Sequence, residues 1–275
     1  MVNTDKRHRH KEGHRSRIEA ARVEEAKRRR TRTVMVVVGT LAAVVAIFVA
    51  VTVTRNDDQE VQAGDRTTTT AGPTSVPGVS LPSPPDGQTL EGATPCPEGD
   101  VKRTVAFEQA PPVCIDPKET YRATVTTSKG PIVIALDPAQ SPTAVNNFVV
   151  LARYHYYDGL PFHRIVSGFV DQTGSSGRPD YPSGGPGYSL PDEDPKVPYE
   201  KGTVAMAVGG EQVSGSQFFF TIDPTPLEGG GYPILGKVTE KSLAVVEEIN
   251  SFGSETEGGE PTEVVTIEQV EISGP

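Results

Sequence analysis

RATVTTSKGPIVIALD, residues 122–137, alternates apolar and polar side chains on both sides of SKGP. Period-two alternation is the mark of a half-buried strand, because successive side chains point to opposite faces, and a Gly-Pro pair between two such runs marks a turn. The stretch therefore predicts a β-hairpin with a Gly-Pro turn. Directly after it, Ser141 and Pro142 open PTAVNNFVVLARY. Serine can cap a helix, proline fits the first helical position, and Ala144, Phe148, Leu151 and Ala152 share one face. A second amphipathic helix is predicted over LAVVEEIN, with Leu243, Val246 and Ile249 on one side and Gly253 closing it. Between the helices lie the strand-like runs TVAMAV and SQFFFTI, and the chain finishes on EVVTIEQVEI. Many short strands with two helices predict a mainly β fold, a closed β-barrel with helical lids.

The rest of the chain has a different texture. Gly and Pro together account for 53 of the 275 residues and are unevenly spread, so the folded part is shorter than the chain. The net charge of -10 hides an asymmetry: residues 1–32 carry twelve Lys/Arg against five Asp/Glu, which leaves -17 for the remainder. The acidic remainder has no clustered Lys/Arg stripe of the kind that neutralises phosphates, so a nucleic-acid partner is set aside. VMVVVGTLAAVVAIFVAVTV, residues 34–53, is 20 residues long and uncharged. At 1.5 Å per residue it matches a hydrocarbon core of about 30 Å. Arg28, Arg29, Arg30 and Arg32 precede it and Asp57 and Asp58 follow, so the positive-inside rule puts the N-terminus in the cytoplasm. Both the basic and apolar parts are too long for a cleaved signal peptide, and an uncleaved single-pass anchor in the cell membrane is expected.

HRHKEGH in the tail reads as a solvated basic segment without fixed metal geometry, and no metal is expected. The Thr/Pro/Ser/Gly-rich stretch over 54–95 has few large apolar side chains to offset ordering entropy, so it predicts a disordered tether. Cys96 and Cys114, the only cysteines, fall on the side placed outside the cytoplasm, where a disulfide is expected. Closing that loop stabilises by about 3 kcal/mol in the chain-entropy model. The predicted organisation is thus a basic tail (1–33), a membrane helix (34–53), a tether (54–95), a Cys-containing lead-in (96–120) and a folded domain (121–273).

The domain holds no G-x-S-x-G elbow, no HExxH and no P-loop, so hydrolase readings lack their parts. Its other segments, in order, are FHRIVSGFVDQTG from Phe162, GGPGYSLPDE from Gly184, YEKGTVAMA from Tyr199, GSQFFFTI from Gly215 and LGKVTE from Leu235. This ordered set resembles the cyclophilin family, and the GGPGY form and anchored layout are similar to actinobacterial members. The resemblance implies an eight-stranded antiparallel barrel capped by two helices, with a substrate groove on its outer face, and peptidyl-prolyl cis/trans isomerase activity without a cofactor. Carried over by position, Arg164 matches the catalytic arginine and Gln172 the glutamine that holds substrate backbone. Phe169, Met206 and Phe219 match the proline pocket, Ala207 and Gln217 further groove-lining positions, and Leu227 and Tyr232 the rim. Leu227 stands where many members carry tryptophan, Tyr232 where many have histidine, and Val208 where asparagine often follows Met-Ala. Weak binding of cyclosporin, the family's inhibitor, is expected from the missing indole.

Those residue types suit the chemistry. Rotation about a peptide bond meets a barrier of about 18 to 20 kcal/mol, because nitrogen shares its lone pair with the carbonyl. A guanidinium donating to the prolyl nitrogen localises that lone pair as the bond twists, while an apolar pocket holds the ring. Alone, an FFF run is core and a lone arginine a surface ion-pair residue. Alternation allows Phe219 to line a pocket only by facing away from Phe218 and Phe220. His163 reads as structural, since isomerisation transfers no proton, and Tyr154, Tyr156 and Tyr157 read as packing at a helix end. The expected function is a monomeric isomerase acting on proline-containing exported polypeptides; the alternative is a proline-peptide binder or chaperone without turnover, and a third reading is a structural anchor.

Overall fold

The computed structural model describes residues 79–176, 185–209, 212–227, 229–256 and 258–275. The basic tail, the predicted membrane helix over 34–53 and most of the tether lie outside them, as does Gly184. Among the described residues no helix is long and apolar enough to cross a membrane.

The opening hairpin forms from β3 (Tyr121–Thr127) and β4 (Gly130–Leu136). Its strands are as read, but its turn is not. Thr127 pairs with Gly130, so Ser128 and Lys129 make the loop, and the Thr127 hydroxyl donates to the Gly130 carbonyl at 2.7 Å. Gly130 supplies the positive φ of 121° that closes so short a turn. Pro131 sits inside β4, where its missing N–H costs nothing on the far side, because β10 (Ile234–Val238) pairs only with Ile134–Leu136.

Outward from this hairpin the sheet runs β11 (Ile267–Ser273), β3, β4, β10, β8 (Thr203–Gly209), β9 (Gln212–Thr221), β6 (Val170–Thr173) and β5 (Arg164–Val166). Every pairing in it is antiparallel, and the short β7 (Ser189–Leu190) joins β9 beside this path. The observed architecture is thus a strongly curled antiparallel sheet of nine strands, where a closed barrel of eight is expected from the sequence. Its two ends meet without a ladder: Phe162 N–H donates to the Val265 carbonyl at 2.9 Å, and Gly159 N–H and Leu160 C=O bond to Ile267.

α1 (Pro142–Arg153) packs against β9, β10 and β11, and α2 (Glu240–Asn250) against β4, β5 and β6. The two helices cap the core, which Phe148, Tyr157, Phe162, Phe218 and Phe220 fill without exposure. Tyr154, Tyr156 and Tyr157 are buried at the end of α1, as packing. Ser141 stands at the N-cap of α1 but makes no side-chain cap. The carboxylate of Glu193 takes that role, accepting from the N–H groups of Thr143 and Ala144 at 2.9 Å each, where a negative charge also complements the helix dipole. Gly253 is likewise not a left-handed stop. It lets the chain pass β5, because a Cβ there would stand 2.8 Å from the Ile165 carbonyl oxygen.

Part of the stretch read as a tether, residues 79–95, is described, and β1 (Gln88–Leu90) pairs in parallel with β2 (Thr104–Phe107). Pro85 lies against Gly159, and the Tyr154 hydroxyl donates to the Pro95 carbonyl at 2.9 Å. β2 is buried along its whole length, and Phe107 enters the main core edge-on to Tyr154 at 5.4 Å between ring centroids. The Arg103 guanidinium donates to the carbonyls of His155, Tyr156 and Asp158. Cys96 and Cys114 are joined as expected, and the Cys114 N–H donates to Asn146 of α1 at 2.7 Å. Backbone pairing, proline contacts and the burial of Phe107 hold this strap, and none of them needs a long run of apolar periodicity.

Candidate functional site

β5 and β6 form a hairpin in which Arg164 pairs with Gln172. On its other edge β6 pairs with β9, setting Gln172 opposite Phe219, and β9 pairs with β8, setting Phe219 opposite Ala205. The register alone therefore draws Arg164, Gln172, Phe219 and Ala205 into one row across four strands. Directly opposed residues share a face, and the next residue on each strand faces away. Ile165, Phe218, Phe220 and Met206 accordingly belong to the main core, while Phe219 does not.

On the row's face lies a second apolar cluster built from Val170, Ala205, Ala207, Phe219 and Leu227, with Val166, Phe169, Tyr199 and Tyr232 half-buried around it. Leu227 comes from a single 3-10 turn, Thr225–Leu227. Tyr232 stands edge-on to Phe219 at 5.4 Å and 87°. Tyr199 fixes that rim: its hydroxyl donates to the carbonyls of Gly230 and Tyr232 and accepts from the Tyr232 N–H at 2.9 Å. Burial raises the Tyr199 phenol above its ordinary range, so it remains a neutral donor.

Of the sequence-derived residues, Phe169, Ala207, Phe219, Leu227 and Tyr232 belong to this cluster, and Arg164, Gln172 and Gln217 adjoin it through the strand register and side-chain bonds. Met206 is the exception. It is fully buried opposite Phe218 in the main core and is not part of the second cluster, where the proline pocket was expected. Ala205 and Val170 belong to the second cluster instead, and both were legible by applying to β8 and β6 the same alternation that separates Phe219 from its neighbours.

One side of the cluster is polar. Arg164 donates to the Gln172 side-chain carbonyl at 3.3 Å, and Gln172 donates to that of Gln217 at 2.9 Å. His163 lies next along, with its pKa lowered to about 4. Burial is the main cause, a hydrogen bond with Gln217 opposes it, and the Arg164 charge lowers it further. The imidazole is therefore neutral at physiological pH and serves as a hydrogen-bonding spacer. Behind Arg164 the free edge of β5 is covered: Ile165 N–H donates to the Gly259 carbonyl at 2.7 Å, and Ser167 N–H to the Ser254 carbonyl at 2.9 Å. Gly259 has a left-handed φ of 64°, and a Cβ there would meet the Arg164 stem at 2.8 Å. The glycine sets where the guanidinium can sit.

A charged fork of donors beside an apolar cluster of aromatic and aliphatic side chains can hold a small ring while donating to a polar atom attached to it. Residues 122–272 match the family described as cyclophilin type peptidyl-prolyl cis-trans isomerase/CLD. A Helicobacter pylori peptidyl-prolyl cis-trans isomerase is 37% identical over 134 residues, covering 48% of this chain and 81% of that protein. The peptidyl-prolyl cis-trans isomerase A of Mycobacterium tuberculosis is 38% identical over 179 residues, covering 57% of this chain and 94% of that protein. The solved structure of a Cryptosporidium parvum cyclophilin type peptidyl-prolyl cis-trans isomerase in the presence of the dipeptide Ala-Pro is 27% identical. It covers 55% of this chain and 98% of that one, with a TM-score of 0.47. On the family match, which spans more than half of its length, this chain belongs to the cyclophilin-type peptidyl-prolyl cis-trans isomerases.

Proposed function

We propose that the domain accelerates X-Pro isomerisation in polypeptides on the far side of the membrane that residues 34–53 cross, with Arg164 as the catalytic residue and Gln172 holding the substrate backbone. The observation that carries the reading is the row Arg164, Gln172 and Phe219, in which one register places a guanidinium and an amide directly beside a second apolar cluster, separate from the main core. The prolyl ring enters the recess over Phe219, between Phe169, Val170, Ala207 and Leu227. Gln172 engages a backbone group of the residue before proline. As the bond twists, the nitrogen lone pair leaves conjugation and accepts from Arg164. That interaction strengthens only in the twisted state, so it lowers the barrier and does not simply tighten binding. Arginine suits the task because it stays charged at any working pH.

Export of the domain is supported by the uncharged 20-residue span, by the arginines before it and by the Cys96–Cys114 bridge, a linkage that oxidising compartments maintain. Arg164, Gln172 and Phe219 all come from one chain, which supports action as a monomer. The bonds between residues 159–162 and 265–267 support reading the curled sheet as a barrel in effect. The rim offers Leu227 and Tyr232 without an indole, which supports weak cyclosporin binding.

The test is NMR exchange spectroscopy on a short Ala-Pro peptide with the full chain. A fragment starting near Thr120 is unsuitable, because it would lose Phe107 from the core. Exchange takes tens to hundreds of seconds uncatalysed at 25 °C, so acceleration is easily resolved. A peptide that binds without faster exchange makes the domain a proline-peptide binder instead.

A further inference from the structure

On β6 the residue between Val170 and Gln172 faces the other way. Asp171 is fully buried, paired in the ladder with Ile165 and Phe220 on the inner side. One carboxyl oxygen accepts from the Asn250 amide at 2.7 Å, and the other has no partner among the described residues. Asn250, the last residue of α2, uses its remaining groups on the turn of the β5–β6 hairpin: its amide donates to the Val166 carbonyl at 3.0 Å, and its side-chain carbonyl accepts from Gly168 N–H at 2.7 Å. That turn leads into Phe169 at the pocket rim, and the two strands it joins carry Arg164 and Gln172.

We infer that Asp171 and Asn250 are positioning residues for the isomerisation groove, an acid-amide clamp that ties the hairpin bearing Arg164, Phe169 and Gln172 to the end of α2. The inference rests on the proposed groove. Neither residue is part of the second cluster, and both act through the hairpin. Nothing in catalysis by Arg164 requires an acid here, and a buried carboxyl with an unpartnered oxygen is costly unless it serves a purpose.

The clamp is also sensitive to pH. Burial raises the Asp171 carboxyl to about 7, opposed by its bond from Asn250. From β5, the charged Arg164 faces the groove on the opposite side of the hairpin. From α2, Glu247 and Glu248 are exposed, and from β9 the opposing residue is the apolar Phe220. No ionised side chain is among the causes of the shift. While protonated, the carboxyl is content in a dry site and Asn250 keeps all its contacts. Once ionised, the carboxylate holds the Asn250 amide more tightly, but its second oxygen must gain water, and admitting that water opens the packing behind the turn from Val166 to Gly168. The active arrangement is therefore the protonated one. His163, at about 4, does not titrate in the same window.

The experiment measures kcat/KM by NMR exchange on the full chain from pH 6 to 8, together with the amide resonances of Gly168 and Phe169. In the wild type, kcat/KM falls on the order of tenfold with its midpoint near the Asp171 value, as expected for a small misplacement of a catalytic group. The two resonances move with the same midpoint. Asp171→Asn keeps the carbonyl that accepts from Asn250 but cannot ionise, so it holds the low-pH activity throughout and its resonances stay still. Asn250→Ala lowers kcat/KM at every pH and removes the inflection. An unchanged inflection in Asp171→Asn, or wild-type resonances that do not titrate, overturns the clamp. Absence of isomerisation at all pH values would refute the proposed activity, and the resonances would still decide the clamp. They also decide it alone if Asp171→Asn does not fold.

Discussion

Phe107 lies outside the region matched by the family, yet it is 1% exposed and enters the main core edge-on to Tyr154, with Tyr188 at 6.5 Å on another side. Replacing it with alanine leaves a cavity bounded by rings that α1 and the sheet hold in place, so the site cannot collapse. Phe→Ala substitutions of this kind cost about 3 to 5 kcal/mol. A whole domain holds only roughly 5 to 15 kcal/mol, so the loss is a large fraction of the total. With a urea slope of about 2 kcal/mol per molar, the midpoint of unfolding drops by roughly 2 M. Lys102→Ala, at an exposed position in the same strap, serves as the control and shifts the midpoint little. Activity under native conditions is retained, because Phe107 belongs to the core cluster and not to the groove. A Phe107→Ala midpoint within about 0.5 M of wild type would show that the strap is not integral to the fold.

The other expectations concern the groove and its charges. Phe219→Ala empties the recess and weakens ground-state and twisted forms together, raising KM for an Ala-Pro peptide and costing about 3 kcal/mol of stability by denaturation. Met206→Ala costs about 2 to 5 kcal/mol of stability but changes peptide affinity little, the opposite of what a pocket-lining residue would give. Gly259→Ala drives its Cβ into the Arg164 stem and lowers kcat in the exchange assay with a smaller change in peptide affinity. The pH dependence of stability has two opposed parts. His163, lowered from 6.5 to about 4, makes stability rise with pH across that interval, since only the unfolded chain binds the proton there. Asp171, raised from 3.8 to about 7, makes stability fall over its own interval, since there the folded state holds the extra proton. Asp171→Asn therefore leaves a net rise between pH 4 and 6.5, readable by thermal unfolding. Reducing the Cys96–Cys114 bridge frees the strap end next to Asn146 and lowers stability by up to about 3 kcal/mol, while kcat/KM changes little.

The sequence made the strands and helices of the domain legible because their faces obey periods of two and 3.6. The same alternation that separates Phe219 from Phe218 and Phe220 also separates Ala205 and Ala207 from Met206, and motif position alone placed Met206 in the pocket. What the periods do not carry is long-range. Glu193 caps α1 from 50 residues away, and Asn250 reaches across 84 residues to Val166. β1 holds to β2 by backbone bonds, which no side-chain pattern announces. Pro131 looked like part of a turn because proline usually punctuates, and it is tolerated in β4 only where β10 does not reach. The polar wall of the groove was legible in its members Arg164, Gln172 and Gln217, but their order became visible only through the β5–β6 register.

The most direct measurement of the central claim compares wild type with Arg164→Ala by NMR exchange on an Ala-Pro peptide, with affinity measured in the same samples. If the guanidinium stabilises the twisted amide, the substitution removes about 2 to 4 kcal/mol from the transition state, roughly 10² to 10³ in catalysed rate, and affinity falls much less. Full activity retained by Arg164→Ala, or a wild-type domain that binds the peptide and leaves its exchange rate unchanged, would contradict the account.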